Sequence, residues 1–150
     1  MLIQNPLNSS EWSYPILECF HIAGFAVAIG TVAIVDFRLL GLAMRHQTPA
    51  QLTKETSLLT IISLIIAVFS GLLIFSTDPD MYYLNLAFLF KIACLLLAIG
   101  FHYTIHRRVV FSGASLGTSI LVACVSLGLW VSVVFGGIFI AFLSLELNSN

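Results

Sequence analysis

Apolar residues fill four long segments of the chain, and short polar stretches separate them. The segments cover about residues 15–44, 57–76, 82–104 and 116–143. A helix crosses the apolar layer of a bilayer with roughly 20 residues at about 1.5 Å each, so every segment is long enough to span it. Spanning backbone has to satisfy its own hydrogen bonds, as a helix does. The pattern therefore predicts an all-α fold, in which residues 1–150 form a single four-helix transmembrane domain.

The breaks between the segments are short and carry turn signals. They are RHQTPAQLTKE with Pro49, STDPDMYY with Pro79, and HRRVVFSGAS with a Gly/Ser-rich end. Short connections make consecutive helices run in opposite directions. The arrangement predicted is thus an up-down transmembrane four-helix bundle.

Outside the apolar segments, basic residues are confined to alternate breaks. The first break carries Arg45 and Lys54, and the third carries Arg107 and Arg108. In the two ends of the chain and in the second break, the charged residues are all acidic. Lys and Arg in short loops stay on the cytoplasmic side. We therefore expect both termini to face the periplasm or outside, in a multi-pass protein of the bacterial inner (cytoplasmic) membrane.

Composition agrees with a membrane protein and narrows its partners. The chain is 59% hydrophobic and 9% charged, with a formal net charge of −1, whereas soluble domains are about 25% charged. The expected partner is the lipid bilayer, with a homo-oligomer or a larger membrane complex as further expectations. Nucleic acid is not expected, because the chain has no basic patch outside the membrane. No motif of soluble catalysis, such as G-x-S-x-G or H-E-x-x-H, occurs in the sequence.

The first segment places its acidic and imidazole side chains on one helix face. Glu18, His21 and Asp36 follow one another at helical spacing, and the rest of their stripe is apolar. Arg38 points away from this stripe, near enough to the end of the segment for its guanidinium to reach the headgroups.

The third segment repeats this arrangement with Lys91 and His102, followed by His106 one turn further on. Depths counted from Pro15 and from Tyr82 place the polar groups of the two segments in two layers. The outer layer comprises Glu18, His21 and Lys91, and the inner layer comprises Asp36, His102, Arg38 and His106. Within the inner layer, Asp36 and His102 are expected to lie at the same depth and to pair.

Charges at these positions need an explanation, because a charge at the centre of a span costs roughly 2.5–3.5 kcal/mol on insertion scales. Such groups are normally paired, turned inward or functional. For Asp36, a hydrogen bond that only holds helices together and a functional role both remain open. Lys91 lies near midspan, which favours function, although Glu18 or His21 would also give it a structural partner.

Three function classes follow from these groups. A haem-binding or redox-associated subunit, the first expectation, would use His21 as the metal ligand of haem b, with Lys91 in the same cofactor site. No second histidine lies at that depth on a facing helix. A transporter or proton-relay component would use Asp36 and His102. A non-catalytic accessory or assembly subunit would need the polar pairs only for helix register.

Two quoted stretches resemble a group of small bacterial four-helix membrane proteins of unknown function. They are HIAGFAVAIGTVAIVDFRLLGL and SGLLIFSTDPDMYYLNLAFLFKIACLLLA. The shared features are a helix-one histidine, a DxRLLG ending, a glycine late in helix two and an NxxFxxK start to helix three. They fall on His21, Asp36, Arg38, Gly41, Gly71, Asn85, Phe88 and Lys91. The resemblance implies this topology and no activity. The bundle is also distantly similar to copper-resistance membrane domains and to haem-b four-helix cytochromes, whose paired histidines it lacks.

Overall fold

The structure, a computed structural model, describes residue 7 and residues 11–147 of the chain, and regular structure in this part is helical throughout. Four helical stretches are long and apolar enough to cross a membrane: Ser13–Leu39, Pro49–Thr77, Leu86–Ser112 and Leu116–Ile140. The described part is therefore the all-helical, multi-pass membrane fold that the hydropathy pattern predicts. The predicted location of the two termini concerns residues 1–6, 8–10 and 148–150, which lie outside the described residues.

Helix α1, Ser13–Leu39, ends five residues before the predicted end of the first segment. Leu40 closes the last turn by donating its backbone N–H to the Asp36 carbonyl at 2.9 Å. Gly41 follows with a φ of +75°, in the left-handed region that favours glycine. Residues 40–44 are largely apolar, which is why hydropathy alone extends the segment. The glycine nevertheless turns the chain out of the helix.

Helix α2, Pro49–Thr77, begins eight residues before the predicted start of the second segment. Thr48 caps it: its hydroxyl accepts from the Gln51 backbone at 3.2 Å, and the Gln51 side chain accepts from the Thr48 backbone at 2.9 Å. Pro49 occupies the first helical position, where a missing N–H does no harm. The sequence TPAQ thus encodes the start of a helix. The prediction of a loop over residues 49–56 is wrong, because these residues form the first turns of α2.

The third span is preceded by a separate short helix, α3, Pro79–Tyr83. Tyr82 is buried in it against Phe75 and Phe88, and its hydroxyl lies 3.3 Å from that of Tyr14. Burial, reinforced by the Tyr14 hydroxyl, raises the pKa of Tyr82. The predicted start of the span at Tyr82 therefore belongs to a different element.

The third span itself consists of helix α4, Leu86–Phe101, a π-helical turn, His102–His106, and helix α5, Arg107–Ser112. Asn85 caps α4 by accepting from the Ala87 backbone at 2.9 Å, and its amide donates to the Ile140 carbonyl at 3.1 Å. Gly113, with a φ of +62°, ends the span. The span thus runs past the predicted residue 104 to Ser112, and most of the predicted third break is helical.

Helix α6, Leu116–Leu147, packs against α4 and α1, while α1 packs most extensively on α2. The contact of α1 with α2 is close at Gly24, where a Cβ atom would lie 2.9 Å from both the Ala67 nitrogen and the Ser63 oxygen. Two buried apolar clusters hold the helices together. They comprise Val32, Cys94, Leu95, Ala98, Trp130 and Val133, and Val35, Leu39, Leu52, Val110 and Ala123.

Candidate functional site

Polar side chains gather at two levels of the helix bundle, half-buried at one level and buried at the other. The His21 cluster consists of His21 and Lys91, and the Asp36 cluster consists of Asp36, His102, His106 and Ser126. The two contacts that define them, His21 with Lys91 and Asp36 with His106, each join residues 70 positions apart. Asp36 follows His21 by fifteen residues of helix, so the clusters lie about 22 Å apart along α1.

The His21 ring is fixed through both of its nitrogens. Nδ1 lies 2.7 Å from the Ala67 carbonyl oxygen, which can only accept, so Nδ1 donates the proton. Nε2 is then free to accept from the Lys91 ammonium at 3.2 Å. Gly71 makes room for the ring, because a Cβ atom there would lie 2.7 Å from the His21 Cε1 atom. This arrangement holds one neutral tautomer in one orientation.

Glycines of α6 let the Lys91 side chain lie close against that helix where it contacts His21. A Cβ atom at Gly136 would lie 3.0 Å from the Lys91 Cβ, and one at Gly137 would lie 3.3 Å from its Nζ. The Nζ atom also lies 5.2 Å from the centre of the Phe25 ring, a cation–π distance. Of the predicted outer layer, His21 and Lys91 come together, whereas Glu18 is exposed on α1.

The Asp36 cluster is the most deeply buried ionisable group of the described residues. Asp36 and His106 are both 0% exposed, and Oδ1 lies 2.7 Å from Nε2. The His102 ring stacks on the His106 ring with 5.0 Å between centres and 26° between planes. The Ser126 hydroxyl of α6 faces the carboxylate without reaching hydrogen-bond geometry. Side chains of α1, the third span and α6 thus meet at one carboxylate.

His106, and not the expected His102, is the partner of Asp36. The prediction counted depth from Tyr82, but the third span begins four residues later, at Leu86. Moving the reference by four residues moves the partner from position 102 to 106. Both histidines lie in the π-helical turn, one at each end, and both are buried. Such turns are rare and often occur at functional sites.

Arg38 lies apart from the Asp36 cluster, although the predicted inner layer included it. Its Nε atom donates to the Gln47 carbonyl at 2.5 Å, which ties the end of α1 to the loop before α2. The side chain is therefore held at the end of α1, and its contact with the headgroups stays a prediction.

Polar atoms without a hydrogen-bond partner in the described part concentrate around the Asp36 cluster. They are Asp36 Oδ2, Thr53 Oγ1, His102 Nδ1, His106 Nδ1 and Ser126 Oγ. An unsatisfied buried group costs about 1–3 kcal/mol, so each of these atoms calls for an explanation. Thr53 and Ser126 are not among the residues that the sequence predicts, because Thr53 lies in a predicted break and Ser126 lies in a nearly continuous apolar run.

Haem binding at His21 was the first expectation from the sequence, and the ring geometry does not fit an axial ligand. A haem iron would need a ring nitrogen, and both are engaged by Ala67 and Lys91. Gly71 packs directly on the ring edge between those nitrogens. The described residues also contain no group of three or more His, Cys, Asp or Glu side chains placed to hold a metal ion. Haem b with His21 and Lys91 stays a prediction.

Comparison with known proteins places the chain in a family. Residues 14–143 match the model of DUF6644, described as a family of unknown function. No curated protein and no solved structure matches the chain. An uncharacterised family is what the sequence resemblance predicts, while the particular motif and the likeness to copper-resistance domains and haem-b cytochromes stay predictions. Because the match covers most of the chain, the protein belongs to the DUF6644 family of unknown function and is a small multi-pass membrane protein of unknown activity.

Proposed function

We propose that the protein is a proton-relay component of its membrane, in which the Asp36–His106 pair takes up and releases one proton. The observation that carries this proposal is a carboxylate and an imidazole, both fully buried within spans and 2.7 Å apart. Ionisable groups at such positions mark proton routes in membrane proteins. The partner on the third span is His106, in place of the His102 expected from the sequence.

The proton step needs only these two side chains. In one state the proton lies on His106 Nε2 and forms an ion pair with the Asp36 carboxylate. In the other it lies on Asp36 Oδ1, and a neutral carboxylic acid donates to a neutral imidazole. The proton moves along the 2.7 Å contact between the two atoms, and no charge leaves the pair. A proton taken up from outside converts the ion pair into a carboxylic acid beside an imidazolium.

Groups from the third span and from α6 contribute to the electrostatic field at Asp36. The third span contributes His102 and His106, with Arg107 beside His102. Helix α6 contributes the neutral Ser126 hydroxyl near the carboxylate. The apolar cluster around Val32 and Trp130 separates the two polar clusters, because Val32 lies between His21 and Asp36 along α1.

We therefore assign the His21 cluster to a separate site. The other parts of the proton route would be supplied by further copies of the chain or by partner subunits.

The proposed orientation is an up-down bundle with both termini outside and the Asp36 cluster near the cytoplasmic face of a bacterial inner membrane. Contacts of Thr31 with Thr60 and of His21 with Ala67 support opposite directions for α1 and α2. The contacts of Asn85 with Ile140 and of Lys91 with Gly136 do the same for α4 and α6. Arg45, Lys54, Arg107 and Arg108 supply the cytoplasmic assignment through the positive-inside rule.

Infrared difference spectroscopy across a pH step tests the proposal on protein reconstituted in liposomes. We expect a carboxylic-acid C=O band that appears on acidification and is absent from Asp36→Asn. The matched control is Asp80→Asn, which makes the same chemical change at an exposed position and should keep the band. His106→Gln should shift the pH at which the band appears, whereas His46→Gln in the exposed loop should not. A spectrum unchanged by Asp36→Asn would contradict the proposal.

A further inference from the structure

A narrow cleft lies between α1, α2 and the third span, and the side chains at its mouth are exposed or half-buried. They are Thr56 and Ser57 of α2 and Tyr103 and Arg107 of the third span. The deeper wall consists of buried side chains, and the volume of the cleft is only about 10 Å³. Such a volume holds at most one water molecule. A larger ligand would therefore contact the cleft at its mouth alone.

Arg107 is held in place at this mouth by two aromatic rings. Its guanidinium carbon lies 5.9 Å from the centre of the Tyr103 ring and 5.8 Å from the centre of the Phe111 ring. Both distances fall within the range of cation–π contacts. Tyr103 precedes Arg107 by four residues and Phe111 follows it by four, so the two rings flank the guanidinium along the span. Its positive charge is thus confined to a defined position.

The guanidinium of Arg107 has no acidic partner within the described part of the chain. The ion pair found there joins Asp36 to His106, and no carboxylate lies at ion-pair distance from Arg107. The hydroxyl protons beside it are used, because Thr56 donates to the Leu52 carbonyl at 2.8 Å and Ser57 to the Lys54 carbonyl at 3.0 Å. The planar fork of N–H donors on Arg107 is therefore left for a ligand, and its geometry matches a phosphate group.

Arg107 lies at a depth where lipid headgroups begin. The third span, Leu86–Ser112, has 27 residues, which correspond to about 40 Å of helix. A bilayer is roughly 40–45 Å thick with its headgroup layers and about 30 Å thick without them. Arg107 precedes the end of the span by five residues, or about 8 Å. Its side chain is therefore near the boundary between the apolar core and the phosphate groups.

The surface around the mouth is positively charged and continues into an apolar region. Lys54 and Arg108 are both exposed there, while the carboxylate of Glu55 accepts a hydrogen bond from Gln47 of the preceding loop at 3.5 Å. Ile61 lies two helical turns beyond Lys54, toward the middle of α2, and is 39% exposed. An anion that carries an acyl chain would gain contacts from both regions, whereas a free inorganic anion would gain them from the charges alone.

We propose that the mouth of the cleft binds one anionic phospholipid, whose phosphate accepts hydrogen bonds from the Arg107 guanidinium. Its acyl chain lies along the apolar surface at Ile61, and Lys54 and Arg108 favour a headgroup with a net negative charge over a zwitterionic one. Basic pockets between membrane spans are known to bind the headgroups of such lipids. Asp36 and His106 take no part in this site, so it does not depend on the proposed proton function.

Native mass spectrometry of the protein in detergent, titrated with phosphatidylglycerol, tests this site because it resolves the complex with a single lipid. Arg107→Gln should weaken binding of the first lipid about fivefold, the usual effect of one basic residue at an anionic membrane surface. The matched control is Arg108→Gln, which makes the same change at the exposed neighbouring position and should weaken binding less than about twofold. Tyr103→Leu, which removes one flanking ring, should also weaken binding, whereas Tyr103→Phe should not.

Equal losses in Arg107→Gln and Arg108→Gln would overturn the site, because they would show an attraction to diffuse charge alone. Phosphatidylethanolamine that binds as tightly as phosphatidylglycerol would overturn the preference for an anionic headgroup. Complete displacement of the lipid by millimolar inorganic phosphate would assign the site to the free anion instead. Arg107→Lys keeps the charge without the planar fork and should bind more weakly than the wild type. Binding equal to the wild type in this variant would contradict the phosphate contact, even if Arg107→Gln does not fold.

Discussion

Single residues in this bundle depend on the fit of one neighbour. His21 keeps its orientation because Gly71 leaves space for its ring, and Asp36 is tolerated at 0% exposure because His106 contacts it. In both cases the position of the polar side chain depends on a second residue, which lies more than 40 positions away in the sequence.

Gly71→Ala should displace the His21 ring, since the new Cβ would lie 2.7 Å from Cε1. We expect the free energy of unfolding to fall by about 1–3 kcal/mol, the usual cost of overpacking. Gly100→Ala is the matched control, because a Cβ there meets nothing within 4 Å. It should be neutral or stabilise by about 0.5–1 kcal/mol. Chemical unfolding in detergent measures both, and equal effects would contradict the prediction.

Asp36→Val and His106→Leu should each destabilise the protein strongly, because each leaves a buried polar partner alone. Removal of one member of a buried pair costs about 3–5 kcal/mol. The double variant should lose less than the sum of the two, with a coupling of about 0.5–3 kcal/mol. Free energies of unfolding for the four proteins give the coupling. The exposed pair Asp80→Val and His46→Leu should be additive, and additivity at Asp36 and His106 would argue against their contact.

At the scale of elements, capping residues decide where the helices begin. The cap of α2 at Thr48 is exposed, whereas the cap of α4 at Asn85 is 1% exposed and also bonds to Ile140 of α6. The cap at Asn85 therefore couples the start of one span to the end of another. It also sets the depth of Lys91 and of both histidines on the third span.

Thr48→Ala and Asn85→Ala should differ in their effect on stability. Loss of the exposed cap should cost about 1 kcal/mol. Loss of the buried cap should cost about 2–4 kcal/mol, because the Ala87 backbone N–H and the Ile140 carbonyl lose their partner as well. The free energies of unfolding in detergent provide the measurement. A loss at Asn85 no larger than that at Thr48 would show that the bond to Ile140 contributes nothing.

Helix ends are also where the predictions from the sequence differ from the structure. Hydropathy averaged over a window identifies apolar helices, but it does not register the TPAQ cap or the left-handed Gly41. Nor does it separate the short helix α3 from the third span, so the predicted start at Tyr82 falls in α3. The resulting errors of four to eight residues are small for a span. They are large for a pairing, because four residues separate His102 from His106.

At the scale of the whole molecule, the orientation in the membrane can be tested with single cysteines. The background protein would carry Cys19→Ala, Cys94→Ala and Cys124→Ala. In intact cells, a membrane-impermeant maleimide should label Asp80→Cys in the second break. It should label His46→Cys and Ser112→Cys only after the inner membrane is permeabilised, because the positive-inside rule places these two in the cytoplasm. The opposite labelling pattern would overturn the proposed orientation.

The sequence by itself determined the number of spans and the all-helical class. These are local properties, since the bilayer acts on each segment through its length and hydropathy. The pairing of Asp36 with His106, the space that Gly71 leaves for His21, and the cleft beside Arg107 were decided only by the tertiary structure. Each depends on the relative depth of two helices. That depth follows from caps, a π-helical turn and close packing, which no single segment encodes.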